Sequence, residues 1–228
     1  MGRRKRISKK DLKHDALVES VSKSARFVED HLNKVLIGAV AVLVIVFVIG
    51  MVIRSRRATE FEANAALVTA TQTLNAGLYG QAATLLNDVI AQYPGTRSAR
   101  AASCYLGTVY YHQGDLELAM SHFEEYLTRS RERGTLRTIA LEGKAAVLEE
   151  RNDFAGAAEL YEQLASEAQH LDPVEARYLV EAMHAHKANG DWQRVAEIAQ
   201  RIIDELGDTR AVGAARVALA EATAVAAT

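Results

Sequence analysis

Seven histidines, one cysteine and 29 acidic side chains are the groups of this 228-residue chain able to act as nucleophiles, ligands or proton carriers. Cys104 has no second cysteine for a disulfide, and no CxxC or Cys/His cluster surrounds it. An isolated thiol of this kind most often serves as a small buried hydrophobe, with a reactive or intermolecular thiol as the alternative. His184 and His186 stand two positions apart, which on a helix turns them onto different faces and away from a shared metal. His112 and His122 flank a turn and can approach one another, although solvated histidines are the commoner outcome. No Gly-rich phosphate loop, H-E-x-x-H, G-x-S-x-G or Asp-rich cation loop occurs. The expectation is a protein that is not an enzyme and holds no metal or cofactor. What matters is then the surface that its elements present to other molecules.

Those elements read as helices. The chain is 49% apolar, with two prolines, fourteen glycines and abundant alanine, a composition that favours helix over sheet. Residues 35–53, VLIGAVAVLVIVFVIGMVI, run for nineteen positions without a charged or hydrogen-bonding side chain. As a helix they span roughly 28 Å, the thickness of a bilayer core. Lys34 before them, with Arg54, Arg56 and Arg57 after them, are placed as interfacial anchors. The apolar run is too long and its flanks are wrong for a cleavable signal peptide, so the helix is expected to stay as a signal anchor.

Charge is divided unevenly along the chain. Residues 1–34 carry ten Lys/Arg against five Asp/Glu, whereas residues 58–228 have a net charge of −10. An acidic domain is a poor binder of nucleic acid. Next to the span the basic residues balance, but Arg3, Arg4, Lys5, Arg6, Lys9, Lys10 and Lys13 tip the wider count towards a cytoplasmic N-terminus, with the bulk of the chain periplasmic or otherwise outside. Leu17, Val21, Ala25, Val28, Leu32 and Val35 recur at helical steps, predicting an amphipathic helix against anionic lipid or a membrane partner. The expected order is a basic cytoplasmic segment at 1–34, a transmembrane helix at 35–53 and a repeat domain at 58–228.

The repeat appears in two registers. Gly77-Leu78-Tyr79, Gly114-Asp115-Leu116, Asn152-Asp153-Phe154 and Gly190-Asp191-Trp192 read as tight helix-to-helix turns, followed by Ala82, Ala119, Ala157 and Val195 at spacings of 37, 38 and 38. Between them stand Thr96, Thr135, Asp172 and Thr209, residues of capping type at spacings of 39, 37 and 37. Large residues follow the small ones at Leu86, Phe123 and Tyr161, with Ala199 the exception. Tyr105, Tyr110, Phe123, Tyr126 and Tyr161 are expected in the core. The Ala-rich segment after Thr209 should cap the fourth unit.

In the second unit, Leu106-Gly107, Tyr110, Gly114-Asp115, Ala119, Phe123 and Tyr126 follow the order and spacing of the tetratricopeptide consensus, which this chain resembles. Its period is stretched beyond the usual ~34 residues, Met183 replaces a small residue, and only Pro94 keeps the closing proline. The stretched period, the phrase AQYPGTRSARAASCYLGTVYYHQGD and the order of basic head, single span and repeats resemble bacterial ancillary Sec-translocon subunits and cell-division-coordinator repeat proteins. The resemblance covers roughly residues 15–205.

The resemblance implies an all-α protein, with one N-terminal transmembrane helix followed by an α-solenoid of about four helix pairs plus a capping helix. Its inner face would bind polypeptide segments in secretion or envelope assembly. The family register assigns to that face Asn64, Thr71 and Asn75, then Cys104, Thr108, Tyr111 and His112, then Glu142, Glu149 and Glu150, and last Arg177, His184 and Lys187. Tyr111 is the expected anchor, since aromatic residues dominate binding hot spots. A purely structural subunit of a larger membrane complex, or a homo-oligomer, is the alternative.

Overall fold

A computed structural model describes residues 32–130, 133–207 and 209–227 of the chain. The basic tip and most of the expected amphipathic helix lie outside these residues. The chain divides into two compact units, Met1–Ala58 and Thr59–Thr228.

The described part of the first unit belongs to one long helix, α1 (Leu32–Asn75). Its large apolar side chains between positions 36 and 53 are exposed, Phe47 to 72%. The most apolar window of α1 has a mean hydropathy of 3.2, and the helix is long and apolar enough to cross a membrane. α1 continues unbroken to Asn75, with no proline in its length, and ends before Gly77, whose φ of 75° is left-handed.

In the second unit, the last turns of α1 and α2 (Tyr79–Gln92) form the first helix pair. The next pairs are α3 (Arg97–Gln113) with α4 (Leu116–Arg129) and α5 (Thr135–Glu150) with α6 (Phe154–Glu167). The fourth is α7 (Asp172–Ala188) with α8 (Trp192–Glu205), followed by α9 (Ala211–Ala226). The repeated turn has a double function. Gly114, Asn152 and Gly190 take left-handed φ values of 79°, 60° and 77°. The aspartate after each then closes the preceding helix, its amide donating to the carbonyls of Tyr110, Leu148 and His186 at 2.8–2.9 Å. The same three aspartates open the next helix, accepting from the amides of Leu118, Gly156 and Arg194. Asp115, Asp153 and Asp191 are therefore N-caps, a role the glycine-centred sequence reading passes over.

Three of the four expected caps need correction. Thr96 caps α3, accepting from the Ala99 amide at 3.0 Å. Thr135 is the first residue of α5, entered from Gly134, and makes no side-chain cap. Asp172 lies inside the first turn of α7, where its charge complements the helix dipole. The Thr209 hydroxyl instead donates backwards to the Leu206 carbonyl at 2.7 Å. α3 gains a second acceptor from α1, because Glu60 takes the amides of Arg97 and Ser98 at 2.8 and 3.0 Å. Burial opposes ionisation of Glu60, but these amides and the Ser98 hydroxyl outweigh it and hold the carboxyl below its ordinary value.

Core packing follows the small-against-large rule. Ala82, Ala119, Ala157 and Val195 are fully enclosed, as are Leu86 and Ala199, with Phe123 and Tyr161 almost so. Phe123 is wedged so tightly that a Cβ on Gly107 would sit 2.7 Å from its ring, and one on Gly143 would sit 2.2 Å away. The fourth unit inverts this arrangement: the bulky Met183 is buried in α7, and the large position of α8 holds Ala199, in the same cluster. Exchanging the two sizes conserves volume. Tyr126 is buried as expected, whereas Tyr105 and Tyr110 are half-buried. α9 lays Ala215, Ala218 and Ala222 into the cluster that contains Ile198 and Ile202 of α8, capping the fourth unit.

Candidate protein-binding site

In a stack of helix pairs the first helices line one surface, and here α3 touches α5 and α7 touches α9. Hydrogen bonds join the middle of this surface. Glu142 of α5 accepts from Arg177 at 2.7 Å and from the Tyr178 hydroxyl at 2.8 Å, both on α7. Arg177 also lies over the Tyr178 ring, 4.2 Å from its centre. Glu149 accepts from the Tyr161 hydroxyl at 3.1 Å, and Lys187 of α7 pairs with Glu221 of α9.

Beside these pairs the carboxylates of Glu149, Glu150 and Glu181 give the surface an acidic centre. Burial raises the Glu149 carboxyl above its ordinary value, and the Glu181 and Glu150 carboxylates add to the shift. Tyr111 of α3 is raised by burial and then by the charges of Glu150 and Glu149. The structure thus gathers Tyr111, Glu149, Glu150, Glu181 and His184 into one electrostatic neighbourhood. Half-buried Tyr111 makes no hydrogen bond through its hydroxyl among the described residues and meets His112 edge-on, ring centres 5.8 Å apart.

Not every expected residue joins this neighbourhood. Cys104 is a correction: its side chain is fully enclosed and its thiol points at the Leu136 carbonyl, 3.5 Å away, so it presents nothing to a ligand. Burial pushes that thiol up to about 12, in line with the small buried hydrophobe the sequence favoured. His112 is exposed but stacks on Tyr79 of α2, and His122 stacks on Tyr110, so each ring has a tyrosine of its own. Asn75 is exposed at the end of α1, and Thr108 is half-buried on α3. His184 lies 3.9 Å from Glu181, while His186 faces away to Glu162 at 2.7 Å, so the two do indeed diverge. Arg194 joins Glu162 there, and together with His186 it outweighs burial and keeps that carboxyl low. Ionised Glu162 therefore adds stability above the ordinary carboxylate value of 4.5, a contribution lost as pH falls through its lower native value.

The surface also contains a cleft that the sequence did not announce. Between α7 and α9 an open cavity of about 600 Å³ has an apolar floor of Ala176, Val180, Ala211 and Ala214, with Arg177, Glu181 and Arg210 at its rim. The volume lies within the range of ligand pockets. Single small residues and one valine carried no signal, because the cleft depends on the spacing between two helices.

Together these helix pairs define an α-solenoid of tetratricopeptide type. No family model matches the chain, and no curated protein matches it. Its likeness is to solved structures. One comprises nearly identical TPR-like repeats from Podosopora anserina, in a chain assigned as a kinesin light chain; it is 20% identical, covers 70% of this chain and 84% of that one, and has a TM-score of 0.57. Another is a tetratricopeptide repeat protein from Parabacteroides merdae, 15% identical, covering 71% of this chain and 60% of that one, with a TM-score of 0.58. At these identities the likeness establishes the fold alone.

Proposed function

We propose that this chain is a membrane-anchored scaffold or chaperone-like subunit. It holds partner polypeptides on the face lined by α3, α5 and α7, outside the cytoplasm, in secretion or envelope assembly. The observation that carries the membrane part is the sleeve of exposed apolar side chains on α1, including Leu36, Ile45, Phe47 and Ile53. Each such side chain left in water forgoes about 1.5–3 kcal/mol. Seven of the first thirteen residues are basic, which favours a cytoplasmic N-terminus. The resemblance to translocon and division-coordinator subunits supports the envelope role. On the repeat domain, Tyr111, Thr108, Glu149 and His184 are the groups we assign to partner contact, with Glu142, Arg177 and Lys187 shaping the surface through their pairs.

Thiol labelling in intact cells with a permeabilised outer layer tests the compartment. A cysteine introduced at exposed Thr128 is expected to react with a membrane-impermeant maleimide before lysis. Native Cys104 is expected to stay unlabelled until the protein is denatured, since it is enclosed and its thiol remains protonated up to about 12. Labelling of Thr128→Cys only after lysis would place the repeats in the cytoplasm and sink the envelope role.

A further inference from the structure

The cleft between α7 and α9 has chemistry of its own. The two helices begin at Asp172 and Ala211, and the residues that line the cleft belong to the first turns of α7 and to the start of α9 with the two residues before it. Further along both helices, the ion pair of Lys187 with Glu221 ties them together. Its floor of Ala176, Val180 and Ala214 carries no polar side chain, so it accepts an apolar group.

The rim charges are not equivalent. Arg177 is satisfied by Glu142 and by the Tyr178 ring. Glu181 leaves negative charge on the α7 side. On the α9 side Arg210 is exposed and has no hydrogen bond or ion pair among the described residues. Arg210 is also the N-cap of α9, where no side chain caps the helix, so the positive end of that helix faces the same mouth. A guanidinium without a partner among the described residues and a helix start without a side-chain cap therefore converge beside an apolar floor, opposite a carboxylate.

We propose that the cleft receives a partner segment in extended form, placing one apolar side chain on Ala176, Val180 and Ala214 and an adjacent carboxylate side chain on Arg210. The charges set the orientation: Glu181 repels the carboxylate from α7, and Arg210 draws it to α9. This rests on the inner-face reading above and adds to it the chemical class of the segment.

The test uses the full chain in detergent micelles and four fluorescein-labelled Gly/Ser peptides whose central pair is Leu-Asp, Leu-Lys, Ser-Asp or Ser-Ser, read by fluorescence anisotropy. The Leu-Asp peptide is expected to bind at least fivefold more tightly than each of the others. Arg210→Glu should invert the order of Leu-Asp and Leu-Lys, because it exchanges the charge at the mouth. Ala214→Trp, at an exposed floor position, should weaken Leu-Asp binding about tenfold (about 1.4 kcal/mol) with an unchanged thermal midpoint. Equal binding of all four peptides, no binding of any, or Leu-Asp binding that neither variant alters would overturn the proposal. In the last case, loss of binding on Tyr111→Ala would leave the inner face standing as a binding surface while removing the cleft from it.

Discussion

Phe123→Ala is expected to lower the free energy of unfolding by about 3–5 kcal/mol, followed by helical circular dichroism during urea denaturation. The ring is 1% exposed and lies between α3 and α5, at the glycines Gly107 and Gly143. Neither helix can close the resulting void without pulling its own partner out of register. The complementary change tests the same wedge from the other side. Gly143→Ala puts a methyl carbon 2.2 Å from the ring, so the ring or α5 must move, at a cost of about 1–3 kcal/mol. The two changes should not add: with Phe123 already truncated, alanine at 143 fills part of the void and costs much less. Additive losses would mean that Phe123 does not set the spacing of these helices.

The second large effect concerns a buried charge. Glu175 is 3% exposed, and its carboxylate pairs with Arg201 of α8. Arg201→Leu leaves that carboxylate enclosed without a counter-charge and is expected to cost about 3 kcal/mol, seen as a lowered denaturation midpoint. Adding Glu175→Gln removes the stranded charge and should recover most of the loss. If the double variant is no better than Arg201→Leu alone, the pair matters for packing and not for charge.

The legibility of this fold varies with the range of the interactions. The turns at Gly114, Asn152 and Gly190 were readable because a left-handed residue between two apolar helices is a local signal, and all three have positive φ. Ala82, Ala119 and Ala157 were readable for the same reason, recurring at one spacing on one helix face. Thr135, Asp172 and Thr209 misled because a capping type near a helix start does not fix which residue is first; Gly134 and Leu171 took that place in two cases. Asp115, Asp153 and Asp191 were in view, but their second role needs the geometry of the turn. A lone cysteine points to burial, whereas the consensus register puts Cys104 on the binding face. Register counts positions along a helix, and only packing against Leu136 and its neighbours shows which way the thiol turns. The pairing of Glu142 with Arg177 and the cleft above Ala214 depend on where consecutive repeats come to rest. No spacing along the sequence records that.

Site-specific photocrosslinking in native membranes tests whether partners are held on the face lined by the first helices. A photoreactive phenylalanine analogue would be placed in turn at Thr108, Tyr111 and His184 on that face, and at the exposed Thr84, Ser121 and Glu159 on the second helices. Adducts with other polypeptides from the first three positions, and none from the second three, are the expected result. Adducts of equal strength from both sets, or from the second set alone, would contradict it.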